Sequence, residues 1–298
     1  MKRRVIRQKD SFTITLPMKW AREHGVGKEL FVDEVEEGLL VKTESVPFKR
    51  EAEIKLTSGD KRFLQYILNN YYRAGYDKLI IEGKVNEKDL YKALNLLPGF
   101  EVTDFTESRV IIESMSEVTE ARFEVLIKQI FFIAKQDVIY IIDSLKNLEK
   151  IDVERMHVSS SRAIKNSNFC LRTVSRKKGD FNSFQWTMNN LITWIERQLY
   201  YLAVAIKDKK MEKLSKSELD YLYSVKDSLD NLYKGIYENK IETFQNIHKN
   251  FREYEEERFN LLKKQSRYKS TVLYYFSVMS RYIMTSTSSG IGIITMRD

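Results

Sequence analysis

Cysteine and long apolar stretches are scarce in this chain of 298 residues. The single cysteine, Cys170, excludes a disulfide framework and a four-cysteine metal site, and it fits a reducing compartment. No run of 18 apolar residues is present, which argues against a membrane span. The basic N-terminus is not followed by the apolar segment of a secretory signal. We therefore expect a cytoplasmic protein without membrane insertion.

Proline is also rare, and it is absent from the last two thirds of the chain. The three prolines are Pro17, Pro47 and Pro98, and glycine shows a similar bias toward the first third. Because both residues interrupt helices, this distribution predicts short irregular elements first and long helices afterwards. Hydrophobic residues make up 43% of the chain, enough for real cores, and the length suggests two or three domains.

Positive charge is concentrated at the N-terminus. The whole chain has 50 basic and 42 acidic residues, a net charge of +8. Among the first 22 residues, seven basic residues less one acid, Asp10, leave a charge of +6. Most of the excess therefore lies in under a tenth of the chain, which predicts a polyanionic partner for this segment.

Residues 1–45 have the pattern of four short strands and one short helix. Apolar residues alternate at Phe12, Ile14 and Leu16, as in a strand. Pro17 suits the first turn of a helix, and residues 36–38, Glu-Glu-Gly, form a hairpin turn between two further apolar strands. A unit of this size buries too little surface to be stable alone, so exchange of strands with a second copy is expected.

This N-terminal segment resembles the swapped-hairpin AbrB family of DNA-binding domains, in which two chains interlace into one dimeric β-barrel. The resemblance covers about 42 residues: a basic first strand, a turn, the segments TITLP and MKWAREHGV, and the hairpin GKELFVDEVEEGLLV. It implies a homodimer whose basic residues contact DNA from the first strand, the turn and the helix. The corresponding residues are Arg3, Arg4, Arg7, Lys9, Lys19 and Arg22. The alternative is an ordinary solvated basic strand.

Residues 46–115 alternate between strands and helices. The segment EAEIKL predicts a strand, Ser58 or Asp60 can cap the helix after it, and Asn86 can cap a second helix. The resulting order, βαβαββ, favours a small α/β domain with right-handed crossovers. The segment contains no glycine-rich phosphate loop and no cluster of metal ligands. We interpret it as a spacer or an additional dimerisation element.

From about residue 117 the pattern is helical. Apolar residues recur with a period of 3.6, and six long helices are predicted, at about 118–148, 152–177, 184–208, 218–237, 241–265 and 268–288. A break near 209–217 divides them into two three-helix repeats, about 117–210 and 216–290. Arg197 aligns with Arg281 in the second repeat. Residues 116–298 are therefore expected to form an all-α, six-helix double bundle.

The helical region resembles the PhoU family of phosphate-uptake regulators, which are built from two three-helix bundles. In that family the third helix of each repeat carries a metal-binding motif with acids at positions i and i+4, which lie on one helix face. This chain keeps Glu196 but has Tyr200 at the second position, and the other copy has Ser280 and Met284. One acid where four are expected cannot hold a metal cluster, so neither a metal site nor a cofactor is predicted. We interpret Glu196 as a bundle residue paired with a nearby arginine.

Two basic clusters lie at turns between the second and third helices of the repeats. The clusters are Arg172, Arg176, Lys177 and Lys178, and Lys263, Lys264, Arg267 and Lys269. Cations near helix C-termini interact favourably with the helix dipole, which is one explanation for both clusters. The other is docking of an anionic partner, or of DNA beside the operator. No serine–histidine–aspartate order, Walker loop or dinucleotide motif is present, and an enzyme is not expected.

Three functions fit this pattern. The first is a dimeric, DNA-binding transcriptional regulator of phosphate uptake, whose helical domain senses phosphate status or docks a partner. The second is an adaptor that binds a phosphate transporter or a signalling kinase and uses the N-terminal barrel only to dimerise. The third is an antitoxin that represses its own promoter. The basic first strand favours the regulator over the adaptor, and the large ordered helical region argues against the antitoxin.

Overall fold

The structure is a computed structural model, and it describes residues 3–23, 26, 29–35, 38–42, 50–56, 61–115, 122–176, 182–263 and 265–295. Residues 1–49 and 50–298 form separate units. The first contains short strands and one short helix, and the second is mostly helical. In the described ranges, no helix is both long enough and apolar enough to span a membrane.

The first unit contains two hairpins that form two separate sheets. β1 (Val5–Gln8) pairs antiparallel with β2 (Ser11–Ile14), and β3 (Phe31–Val35) pairs antiparallel with β4 (Gly38–Lys42). The short helix α1 (Met18–Glu23) lies between them, directly after Pro17. This order confirms the sequence prediction. Of the side chains in this unit whose positions are described, none is buried, so the single chain gives the hairpins no core.

Residues 50–115 form a four-stranded sheet with two helices. The elements are β5 (Glu51–Lys55), α2 (Lys61–Arg73), β6 (Lys78–Glu82), α3 (Glu87–Leu94), β7 (Phe100–Phe105) and β8 (Arg109–Ser114). The strand order is β5-β6-β8-β7, in which only β5 and β6 are parallel. α2 connects this parallel pair, as a crossover requires. The predicted order βαβαββ is confirmed, and so is the cap at Asn86, whose side chain accepts a hydrogen bond from the Asp89 amide.

Six helices follow within the described residues. They are α4 (Phe123–Asn147), α5 (Val153–Arg176), α6 (Asn182–Ile206), α7 (Lys216–Tyr237), α8 (Glu242–Leu262) and α9 (Arg267–Thr295). α4, α5 and α6 pack against one another, as do α7, α8 and α9. The two groups meet where α6 lies against α9 and α4 against α7, and one hydrophobic core extends through both. The predicted number and order of helices are confirmed.

The last helix continues past its predicted end near residue 288 to Thr295. The sequence Ser-Ser-Gly-Ile-Gly suggests a helix end because serine and glycine are poor helix formers. Here the small residues allow close packing instead. A Cβ atom at Gly290 would lie 2.8 Å from the ring of Phe244, and one at Gly292 would lie 2.7 Å from the ring of Phe184. Packing of these two rings offsets the low helix propensity of glycine.

Arg172, which we expected in a basic partner-binding cluster, is an internal residue. Its side chain is 1% exposed and extends from α5 to the α/β segment. There, Nη1 donates to the carbonyl oxygens of Tyr72 and Tyr76, and Nη2 pairs with the Asp77 carboxylate at 2.7 Å. The prediction of a partner-binding role for Arg172 is therefore wrong. The sequence gives no sign of these contacts because the residues that Arg172 meets lie 95 to 100 positions away.

The other members of that cluster have different environments. Arg176 is partly exposed, and its guanidinium pairs with the same Asp77 carboxylate. Lys177 and Lys178 lie outside the described residues. The first two arginines of the cluster thus fasten α5 to the α/β segment, because a buried guanidinium is stable only when its donors are satisfied.

We predict that Asp77→Asn strongly destabilises the unit of residues 50–298. The change leaves the buried Arg172 guanidinium without an anionic partner, which costs about 3 kcal/mol or more. The midpoint of urea unfolding at neutral pH measures this loss.

The matched control is Glu113→Gln, which breaks the Lys78–Glu113 pair of the same sheet. That pair spans 3.2 Å, and its side chains are 29% and 32% exposed, so its loss should cost less than about 1 kcal/mol. Equal destabilisation by the two substitutions would contradict the anchoring role of Arg172.

Candidate functional site

The residues predicted to contact DNA are exposed on the first hairpin and α1. Arg3, Arg4, Arg7 and Lys9 lie on or beside β1, and Lys19 and Arg22 lie on α1. Lys19 makes only a weak, exposed contact of 3.9 Å with Glu23, one turn further along α1. The structure therefore brings four of the six basic residues together in β1 and its turn, and places the other two on the next element.

Strand register shows which side chains accompany Arg7. Arg7 pairs with Phe12, and Val5 pairs with Ile14. Residues that face each other across two strands, and those two positions apart on one strand, project from the same face. Arg7 therefore shares a face of the hairpin with the apolar side chains of Val5, Phe12 and Ile14.

Lys9 occupies the turn of this hairpin in an unfavourable backbone conformation. Its φ is +44°, in the left-handed region that favours glycine and costs other residues roughly 1 kcal/mol. Its side chain is exposed, and it makes no ion pair with any residue that the structure describes. A strained position that keeps a positive charge at the tip of a hairpin points to binding rather than to stability of the fold.

Large apolar side chains of both hairpins are exposed in the single chain. Phe12 is 72% exposed, Val32 is 55% exposed and Ile14 is 49% exposed. Leu16 and Leu30 are partly exposed, and the side chain of Leu40 lies outside the described residues. Exposed apolar residues are unremarkable one by one, but adjacent ones that form a face mark an interaction surface.

Glu196, from the incomplete acidic motif, lies inside the bundle. Its side chain is 0% exposed, no hydrogen bond of ordinary geometry reaches either carboxylate oxygen, and the Ser160 hydroxyl is close enough to lower its pKa slightly. The guanidinium of Arg197 lies over the rings of Trp194 and Tyr201 instead of pairing with this acid. The interpretation of Glu196 as one half of an ion pair is therefore wrong.

Asp137 of α4 is a second buried acid close to Glu196, and the sequence analysis missed it. Its side chain is 2% exposed, one oxygen accepts a 3.4 Å hydrogen bond from the Ser159 hydroxyl, and Oδ2 has no partner. Burial raises the pKa of Asp137 to about 6. Burial, together with the nearby Asp137, raises the pKa of Glu196 to about 8. The sequence pattern that could have identified Asp137 is the presence of an acidic residue among the apolar positions of α4.

The residues at the motif do not fit a metal cluster. Tyr200, Ser280 and Met284 supply no carboxylate, and among the described residues no group of three or more histidine, cysteine, aspartate or glutamate side chains is placed to hold an ion. Metal binding also requires ionised carboxylates, whereas burial favours the protonated form of both Asp137 and Glu196. The pair is better described as two buried acids of a helical core, of which Glu196 is the more strongly held in its protonated form.

In the second basic cluster, Lys269 has a structural role, whereas Lys263 and Arg267 are exposed. Lys269 Nζ pairs with Glu218 at 3.0 Å, and that carboxylate also accepts a hydrogen bond from the Ser215 amide in the capping box of α7. Lys263 lies 3.3 Å from the side-chain oxygen of Asn260, and Lys264 lies outside the described residues. Lys269 therefore connects the start of α9 to the start of α7.

No model of a known family matches this chain, and no curated protein or solved structure is significantly similar to it. The candidate DNA interface therefore rests on its own residues. These are a basic strand, a strained basic turn and an uncovered apolar face on one hairpin.

We predict that Glu196→Gln flattens the pH dependence of stability. The pKa of Glu196 in the folded chain lies above its ordinary value of 4.5, so the folded state binds more protons than the unfolded state between pH 4.5 and about 8. The free energy of unfolding should fall as pH rises through this window, by up to about 1.4 kcal/mol per pH unit. Urea unfolding at pH 6.5 and pH 8 should show a loss of roughly 2 kcal/mol in the wild type and little loss in the variant.

Glu154→Gln, at an exposed position of α5, removes an acid without touching the core. It should retain the pH dependence of the wild type. If Glu196→Gln also retains it, Glu196 is ionised in the folded chain at neutral pH and the buried pair has another explanation.

Proposed function

We propose that this chain is a dimeric, DNA-binding transcriptional regulator of phosphate uptake. Two copies of residues 1–45 interlace their hairpins into an AbrB-like barrel that binds DNA. The PhoU-like helical region senses phosphate status or docks a transporter or signalling protein. The observation that carries the proposal is the presence, on one hairpin, of concentrated positive charge and an uncovered apolar face.

The charge of the first hairpin supports DNA as the partner. Arginine and lysine contacts to phosphates provide most of the affinity of DNA-binding proteins, and a two-fold dimer presents each contact twice. Lys9 gives the most specific support for DNA binding, because glycine would adopt the left-handed backbone of this turn with less strain. A solvated strand that served only the fold would gain nothing from a lysine there.

The exposed apolar faces of the hairpins support the proposal that a second copy of this chain packs against them. The described side chains of residues 3–42 include no buried one, whereas residues 50–298 contain large hydrophobic cores. A two-stranded hairpin is at best marginally stable in water without further packing. In an isologous dimer the second copy contributes the same apolar face and the same basic strand. The apolar faces would then bury each other, and the DNA-binding surface would contain two basic strands.

The link to phosphate uptake rests on the helical region. Six helices in two groups of three are the arrangement expected of the PhoU resemblance, although the metal-binding motif is incomplete. An adaptor that used its barrel only to dimerise would need the apolar faces but not the basic turn. The adaptor therefore explains one of the two features of the hairpin, and the regulator explains both.

Neutralising the first hairpin should abolish DNA binding. We propose selection of fragments from sheared genomic DNA of the source organism by the full chain, followed by fluorescence anisotropy of an enriched fragment over a range of salt concentrations. The triple change Arg3→Gln, Arg4→Gln and Lys9→Gln, which leaves Arg7 on the apolar face unchanged, should weaken binding. It should also reduce the slope of log K against log salt by about 0.9 for each lost phosphate contact.

The control removes the same charge elsewhere, by Lys146→Gln, Lys150→Gln and Lys207→Gln on exposed positions of the helical unit. Its salt slope should equal that of the wild type. If both triple variants select the same fragments with the same salt slope as the wild type, the hairpin is not the DNA-binding element. If the wild type selects no fragment, the regulator proposal fails and the adaptor is favoured.

A further inference from the structure

A cavity lies between α2 of the α/β segment and helices α5 and α6. Its volume is about 530 Å³, within the usual range for small-molecule sites. α2 contributes Arg62 and Arg73 to its wall, and α6 contributes Trp194, Arg197 and Tyr201. The whole cavity belongs to the unit of residues 50–298.

Three arginines line this cavity, and no acidic residue of the described chain does. Arg73 Nε donates to the Asn168 side-chain oxygen at 2.7 Å, and Arg197 is held by the Tyr201 hydroxyl and the Trp194 ring. Neither Arg73 nor Arg197 pairs with a carboxylate in the described residues. Burial and the charge of Arg197 both lower the pKa of Arg73, so the two guanidinium groups repel each other.

Arg73 and Arg197 thus present guanidinium groups to one cavity without a carboxylate partner in the described residues, an arrangement that favours an anion between them. Two other cations of the same unit have acids: the buried Arg172 pairs with Asp77, and the partly buried Lys269 pairs with Glu218. A neighbouring cavity of about 660 Å³ is lined by four lysine and arginine residues, and it differs in containing an acid, Asp89, which pairs with Lys61 at 3.5 Å. The arginine cavity therefore differs from its surroundings in having donors for an anion and no internal acid.

The other residues of the cavity wall indicate which chemical group is attached to the anion. Arginine guanidinium groups match the geometry of phosphate oxygens and can bind them in pairs. Beyond the arginines, the wall contains amide side chains and aromatic rings, which are suited to the hydrogen bonding and stacking of a base or sugar. They are Gln65, Tyr66, Asn69, Asn70, Asn190, Trp194 and Tyr201. A single phosphate ion would leave this part of the cavity unused.

We propose that the cavity binds a nucleotide-sized phosphate ester, with Arg73 and Arg197 on the phosphate and the amides and aromatic rings on the organic part. Binding at this place is independent of what the N-terminal hairpin does. The further statement that the ligand is the effector of the regulator rests on the proposed function.

Isothermal titration calorimetry of the full chain at constant ionic strength tests the site directly. The probes are ATP, AMP, adenosine and inorganic phosphate. ATP and AMP should bind the wild type, and both should bind more tightly than adenosine or inorganic phosphate. Arg73→Gln with Arg197→Gln should weaken ATP binding by about 10-fold or more for each arginine.

Arg281→Gln is the matched control, because Arg281 is exposed on α9, aligns with Arg197 in the second repeat and lies outside the cavity. It should bind ATP as the wild type does. Thermal unfolding of the double variant should show a midpoint close to that of the wild type, because the loss of the Arg73–Asn168 hydrogen bond and the relief of the repulsion between the two arginines act in opposite directions.

The inference is overturned if ATP produces no binding heat with the wild type, or if the double variant binds ATP as well as Arg281→Gln does. Inorganic phosphate that binds as tightly as ATP would overturn the assignment of a nucleotide-sized ligand. DNA binding by the same preparation separates the two proposals. ATP binding without DNA binding supports the cavity and contradicts the regulator, and DNA binding without ATP binding does the reverse.

Discussion

The two units of this chain differ in how much hydrophobic surface they bury, and the proposed dimer follows from this difference. Residues 50–298 have cores of their own, whereas the described side chains of residues 3–42 include no buried one. A short hairpin gains too little from its own contacts to offset the entropy of ordering it. The first unit therefore needs a partner surface, and a second copy, as proposed, would supply one that matches by symmetry. Dimerisation would also bring two basic strands together. The same interface would therefore stabilise the hairpins and form the positively charged surface for DNA.

The second unit combines two segments that the sequence suggests are separate domains. Arg172 joins α5 to Asp77 beside β6, and Asn168 of α5 bonds both Arg73 of α2 and the Leu96 carbonyl oxygen. These polar contacts fix α2 against the helices, and the arginine cavity lies along this junction. A ligand there would contact the α/β segment and the helical region together. The α/β segment supplies one wall of this cavity.

Sequence periodicity predicts most of the secondary structure, since apolar repeats, Pro17 and the Asn86 cap are local signals. The end of α9 was missed because Gly290 and Gly292 are helical for a tertiary reason, contact with two phenylalanine rings. Arg172 was assigned to the surface because charged residues are usually exposed, and its carboxylate partner lies 95 residues away. Glu196 was expected to pair with an arginine because a buried carboxylate usually has a cation, and no local signal in the sequence shows that Arg197 contacts aromatic rings instead. The basic hairpin could be found from sequence because its residues are consecutive, whereas the arginine cavity joins residues of separate helices.

The self-association of the first unit is the claim most open to direct measurement. Sedimentation equilibrium of the full chain should give twice the chain mass of 35.3 kDa. Phe12→Asp with Ile14→Asp should reduce it to the monomer, because these exposed residues would face the second copy. Phe132→Asp, at a residue 59% exposed on α4, should leave the dimer intact. A wild-type monomer, or a dimer that persists in the Phe12 and Ile14 variant, would contradict the account.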